Sequence, residues 1–340
     1  MAYWIDLGFV QGLDAYPDLW RAPIALQCCF AIFSAVGLWS LPDTPRWYYA
    51  RGRIEEGDDV LSRLHDLPLE HEAVQAQRQE VLDSIKDDED THFNVWLLFW
   101  DNTESQVGRR LRTSFLILFV QQFLGINMLV YFSVTIFANI GYSPFLSGIL
   151  AAVMNTVFAL SCFPPIWYIE RLGRRPMMMW TSIGCGFCIL VYIIMTTLAN
   201  PTTVTNWVAV ASVLLYNVIF GFGWLGPPWI YGPEIAPLKY RHIAGGLAAS
   251  GEWFSTWIMV FGGGTGIDAV GPKIFIWPLV CCFLAAAYVY YYCPETTGRT
   301  LEEIDQLFVK HPKHLNHHPT TLNEKEVSPH REHITMSEKV

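Results

Sequence analysis

Three side-chain amides lie within seven residues of one apolar run: Gln121, Gln122 and Asn127 in QQFLGINMLVY, with Tyr131 four positions beyond Asn127. An amide carries both a donor and an acceptor, which suits vicinal hydroxyls better than a bare ion or an apolar ligand. Asn127 and Tyr131 share a helical face, whereas Gln121 and Asn127 would point about 240° apart on an unbroken helix turning about 100° per residue. A break at Gly125 is the expected means of bringing those two together. Bonding between neighbouring helices is the other use for such side chains.

A second apolar run, 205 to 232, is punctuated by Gly221, Gly223, Gly226, Pro227, Pro228, Gly232 and Pro233, with Trp224 and Trp229 between them. A membrane helix with so many breakers bends or unwinds, which lipid tolerates only where the backbone is buried or lines a cavity. Gly226, Pro227 and Pro228 are therefore hinge candidates beside Gly125. The indole of Trp229 can lie against the C–H face of a pyranose or simply pack. GFGWLG at 221 to 226 matches a dinucleotide-binding pattern, but no strand precedes it and no acid follows about 20 positions on, so that reading is rejected. Glu252, next to Trp253, is the only carboxyl inside the long apolar runs; a lone buried acid is a proton or ligand site, or a structural hydrogen bond to a neighbouring helix.

Charges of both signs recur in short turns: Glu170, Arg174 and Arg175; Glu234 followed by Arg241; and Glu295 in PETTGR. Such turns can form ion-pair networks that exist in one conformation and not in another. Anchoring explains the basic residues but not their acidic neighbours.

The elements that position these residues are long and apolar. Of the 53 charged residues, 25 fall in 43–112 and 14 in 294–340, leaving 14 in the other 223 positions. A soluble chain carries charge on about a quarter of its residues throughout, so a soluble enzyme is excluded for most of this one. A bilayer core about 30 Å thick needs about 20 apolar residues, and seven stretches qualify: 22–41, 113–139, 145–169, 176–199, 205–232, 243–266 and 272–293. Residues 1–9 resemble the end of an earlier span and have no signal-peptide pattern. With 43–112 on the inside, 20 of the 22 Lys and Arg residues fall on that side, which predicts a cytoplasmic C-terminus.

Within 43–112, Val60, Leu61 and Leu64, and then Val74, Val81, Leu82 and Ile85, recur at helical spacing. They predict amphipathic helices at the cytoplasmic surface, with a solvated loop as the alternative. The tail beyond about 310 is polar and His-rich and reads as disordered. The eight cysteines lie in or beside apolar runs and read as small hydrophobes; Cys185 and Cys188 have CxxC spacing but nothing to complete a metal site. No metal or cofactor is expected, and no nucleophile or acid pair stands at catalytic spacing.

QQFLGIN at 121–127, ERLGRR at 170–175, PPWIYGPEIAPLKYR at 227–241 and CPETTGRTLEEID at 293–305 together resemble the sugar porter family of the major facilitator superfamily, from Met1 to about Phe308. PDTPR at 42–46 is similar to that family's PESPR. The resemblance implies an all-α polytopic membrane protein of twelve helices that moves a sugar or polyol by alternating access, often with a proton. It implies that Gln121, Gln122 and Asn127 hydrogen-bond the sugar and that Trp229 stands beside it. Glu252-Trp253 falls where many members have Asn-Trp, a departure that puts an ionisable group at the site.

By the same resemblance, 1–9 matches the end of helix five, 22–41 helix six, 43–112 the cytoplasmic helical segment, 113–293 the C-terminal six-helix half and 294–340 the cytoplasmic tail. The major facilitator fold is thus expected in part, with helices one to four and most of five wanting, and the chain alone is expected to be inactive. The expected partners are a sugar or polyol, protons as an open option, the lipid of a plasma membrane, and an N-terminal half or partner chain, with no nucleic acid. A sugar sensor or a regulatory partner of another porter is the second reading.

Overall fold

The computed structural model describes residues 2–12, 21–89, 95–101, 103–198, 200–299 and 301–309. Among them there are α-helices, short 3-10 turns and no strand. The tail expected to be disordered lies outside the described residues.

Two helices, α1 (Ala2–Gly12) and α2 (Arg21–Trp39), come first. Helix α1 lies against the later bundle: the Tyr3 hydroxyl donates to the Val130 carbonyl at 2.5 Å and the Trp4 indole to Thr156 Oγ1 at 2.9 Å. Helix α2 buries none of its residues.

A small helical unit follows, built of α3 (Pro45–Ala50), α4 (Ile54–His65) and α5 (Glu72–Glu89). Thr44 caps α3 and Pro45 occupies its first turn, where a missing N–H costs nothing. Tyr49, Leu61 and Val74 are buried between the three helices. The Tyr49 hydroxyl donates to Asp58 at 2.7 Å and Arg78 donates to the same carboxylate at 2.6 Å. Burial, reinforced by the Asp58 carboxylate, pushes the Tyr49 hydroxyl up to about 12. Leu64, expected on the apolar face, is instead exposed, because three short helices have room for one inward row from α4.

The bundle proper begins at α6 (Val107–Phe123), which continues as α7 (Ile126–Tyr131) and α8 (Ser133–Ile140). Gly125, at φ +98, makes the first break, a left-handed conformation that a residue with a Cβ avoids. The Leu124 carbonyl beside it is taken up by the Tyr216 hydroxyl at 2.8 Å, as lipid requires of a freed backbone group. Helices α9 (Pro144–Leu160) and α10 (Pro164–Leu172) form a pair bent by 47° where Pro164 and Pro165 start the second helix. Helix α11 (Arg174–Thr197) is unbroken, and α12 (Thr203–Gly223) yields to α13 (Pro227–Ile235) across the Gly226-Pro227-Pro228 break. Last come α14 (Arg241–Val270), α15 (Ile276–Tyr292) and the short α16 (Leu301–Leu307).

Among the described residues, five stretches are long and apolar enough to cross a bilayer, or six if the bent pair counts as one. The stretch Arg241–Tyr292 is 52 residues, about 78 Å as a straight helix. It folds back at Gly271 (φ +60), and a Cβ on Gly266 would stand 2.5 Å from Ile274, so α14 and α15 run as separate passes.

Helices α6 and α14 approach closely because Gly251 faces the α6 backbone: a Cβ there would lie 2.3 Å from the Phe115 carbonyl oxygen. Small residues allow this contact in membranes. Gly251→Ala is therefore expected to lower the melting temperature of the purified protein, while Gly245→Ala, which meets nothing within 4 Å, leaves it unchanged or raises it through helix propensity. Equal melting of the two variants would refute the close contact.

Candidate functional site

The break at Gly125 turns α7 so that Asn127 returns toward the end of α6. Its Nδ2 donates to Gln122 Oε1 at 2.6 Å and to Thr256 Oγ1 of α14 at 3.1 Å. Gln122 Nε2 in turn donates to Glu252 Oε1 at 2.5 Å. The donors of Asn127 and Gln122 lead in turn to Glu252, whose other oxygen is buried without a hydrogen-bond partner among the described residues. A buried carboxylate oxygen left in that state is a place for a donor that the described residues do not supply.

The break does not bring Gln121 to Asn127, as the sequence leads one to expect. It brings Gln122, because consecutive helical side chains diverge by about 100° and only one of the two amides can face α14. Gln121 faces α12 instead and donates to the Trp224 carbonyl. That carbonyl sits where α12 gives way to α13, so Gln121 ties the two broken stretches together. Trp224 is itself fixed by its indole, which donates to Ser182 Oγ at 2.8 Å and to the Met178 carbonyl at 2.9 Å.

Tyr131, Trp229 and Trp253 stand outside the hydrogen-bonded cluster, and each presents a large exposed surface, 68% in the case of Trp253. Thr256 is the member that sequence reading missed. Its signal was available, since Thr256 lies four residues from Glu252 and shares its helical face.

At the far ends of the helices, Arg174 is 6% exposed. Its guanidinium reaches Glu170 at 2.6 Å, Glu234 at 2.8 Å and Thr297 Oγ1 at 3.0 Å. Thr296 donates to the other oxygen of Glu234 at 2.8 Å. Glu295 caps α11: its carboxylate accepts from the backbone N–H groups of Arg174 and Arg175 at 3.1 and 3.0 Å, an acid at the positive end of a helix. Gly173, at φ +87, makes room for it, because a Cβ there would stand 2.6 Å from the carboxylate. Arg175 donates to the Tyr290 carbonyl at 2.7 Å and stacks over that ring.

Glu234 thus pairs with Arg174 and not with its near neighbour in sequence, Arg241, whose Nε is buried without a partner among the described residues. The reason is that α13 ends by directing Glu234 across the bundle toward α11. Arg110 is 1% exposed. It donates to the Ile235 carbonyl and to Asp305 and lies 5.0 Å beneath the Phe308 ring. Among the described residues no group of His, Cys, Asp and Glu is placed to hold a metal ion.

Apolar helices of membrane-crossing length, broken around a buried polar cluster, define a multi-pass membrane protein. The chain belongs to the sugar (and other) transporter family, which matches residues 1–308. It is 33% identical over 323 residues to the MFS-type transporter oryC of Aspergillus oryzae, covering 91% of this chain and 58% of that protein. It is 28% identical over 337 residues to the sugar transporter STL1 of Saccharomyces cerevisiae, covering 97% of this chain and 58% of that one. Among solved structures, the proton:xylose symporter XylE bound to 6-bromo-6-deoxy-D-glucose matches with a TM-score of 0.71 at 22% identity, over 90% of this chain and 63% of that chain. The fold is therefore the major facilitator fold in part, and the chain spans little more than half the length of these relatives.

Proposed function

We propose that these residues form the C-terminal half of an alternating-access carrier for a sugar or polyol, with α1 and α2 belonging to the other half. The observation that carries this reading is the Thr256, Asn127, Gln122 and Glu252 cluster, which ends on a carboxylate oxygen with no donor among the described residues. A ligand hydroxyl or a proton satisfies that oxygen, and the neighbouring amides accept and donate to adjacent hydroxyls. Trp229 and Trp253 supply apolar faces beside it. Gly125 and the Gly226-Pro227-Pro228 break let α7 and α13 move, while Glu170, Arg174, Arg175, Glu234 and Glu295 latch the cytoplasmic end.

In this reading Arg241 anchors the chain at the basic side of a plasma membrane, the C-terminus is cytoplasmic, and residues 22–41 and 113–293 cross seven times. The second wall of the cavity comes from an N-terminal half, in the same polypeptide or supplied by a partner chain. The test is uptake of labelled hexose, pentose and linear polyol in transport-deficient cells, with that half present. Saturable uptake supports the carrier; ligand binding or signalling without flux supports a sensor.

Glu252→Gln retains the shape of the side chain and the bond from Gln122 but removes the charge. It is expected to change the pH dependence of uptake or the preference among these substrates. If both are unaltered, Glu252 is structural.

A further inference from the structure

Between the small helical unit and α6 lies the 3-10 turn Val95–Leu98, followed by Phe99 and Trp100. Its rings are outward: Trp96, Phe99 and Trp100 are 64%, 69% and 67% exposed. They also touch one another, with Trp96 and Trp100 centroids 5.3 Å apart and Phe99 and Trp100 6.1 Å apart. Its inward residue is Leu98, which packs with Val107 and Leu111 of α6 and Ala244 of α14.

The turn is fastened to the bundle at three points. Arg112 of α6 donates to the Leu98 carbonyl at 2.6 Å. The Asp101 carboxylate accepts from Thr103 Oγ1 at 2.5 Å and from the Arg109 N–H at 3.1 Å. Gly108 lies so close that a Cβ would stand 1.9 Å from the Leu97 carbonyl oxygen. The three rings are therefore held rigidly at the end of a membrane helix.

We propose that Trp96, Phe99 and Trp100 are a membrane anchor seated in the headgroup region of the bilayer, with Arg112 toward the lipid phosphates. The surface is continuous with the lipid-facing side of α6. Arg112 is exposed, and Leu116, one turn further into the span on the same face, is also exposed. Aromatic rings, then a cation, then aliphatic side chains is the order in which a helix enters a bilayer, since indoles favour the interface and long cations reach back to it. An indole N–H finds carbonyl and phosphate acceptors there, while its ring stays out of water. The anchor fixes the depth of α6, the helix that carries Gln122. Which leaflet it occupies follows from the orientation proposed above; insertion itself does not depend on it.

The test uses the full chain in nanodiscs, wild type against Trp96→Phe/Trp100→Phe, which keeps rings at both positions. The chain has 14 tryptophans, so the difference in emission isolates these two. Lipids brominated near the headgroup are expected to quench most of that difference, since indoles favour the interface, while aqueous iodide leaves it nearly unchanged. Quenching by iodide and not by the brominated lipid would place the rings in water, and quenching by neither would place them against protein. Either result overturns the proposal. Matching melting temperatures confirm that the double variant is folded.

Discussion

Arg174→Gln is expected to destabilise the protein more than any other single change in its charged turns. The guanidinium is buried, and it holds Glu170 on α10, Glu234 on α13 and Thr297 beyond α15 in one network. Removing one partner of a buried ion pair costs about 3–5 kcal/mol, because the remaining charge is left without compensation. The Glu234 arm carries that cost, since its side chain is 24% exposed. The Glu170 arm adds little, since that carboxylate is 66% exposed and well hydrated. Thermal unfolding in detergent, followed with a thiol-reactive dye that reports Cys185, Cys188, Cys282 and Cys293 as they leave the interior, should show a lower midpoint. Arg174→Lys, which keeps the charge but loses the fork of donors, should fall between. A variant that melts like the wild type and transports normally would mean that the network is neither a brace nor a latch.

The second large effect is at the polar cluster. Gln122→Ala in a complete carrier removes the donor to Glu252 and the acceptor of Asn127 at once. Leaving buried polar groups unpaired costs about 1–3 kcal/mol each, so apparent affinity for the proposed sugar or polyol should fall by about tenfold or more, with insertion in the membrane unchanged. Gln121→Ala, one residue away, should behave differently. Its bond goes to the Trp224 carbonyl at the break between α12 and α13, so the loss should appear as a lower melting temperature with affinity nearly retained. Equal effects on affinity from the two variants would show that the ligand meets both amides and that the bond from Gln121 to Trp224 is not kept while it binds.

The breaks at Gly125 and at Gly226-Pro227-Pro228 were legible in the sequence, whereas the 47° bend between α9 and α10 falls inside 145–169, which reads as a single span. The apolar lengths of 174–197 and 203–235 follow from hydropathy, a property of each residue summed along the chain. The interruptions at Gly125 and at Gly226-Pro227-Pro228 follow from the backbone chemistry of glycine and proline, which is equally local. Even the types of residue in the site were visible, because an amide or a carboxyl in an apolar run stands out wherever it points.

What only the tertiary structure decided is partnership. Gln122 and Glu252 lie 130 positions apart, as do Tyr3 and Ser133; Arg110 and Asp305 lie 195 apart. Whether such groups meet depends on the rotation of each helix about its axis, on the turn at Gly125 and on how closely Gly251 lets α14 approach α6. A rotation of α6 by about 100° exchanges Gln121 for Gln122 at the site. The same holds at the charged end, where Glu234 passes over Arg241 to reach Arg174 and Glu295 becomes the cap of α11. Composition and motif name the groups a helical membrane protein must satisfy, but hydrogen bonds are short and directional, so their partners are settled only once the helices are packed.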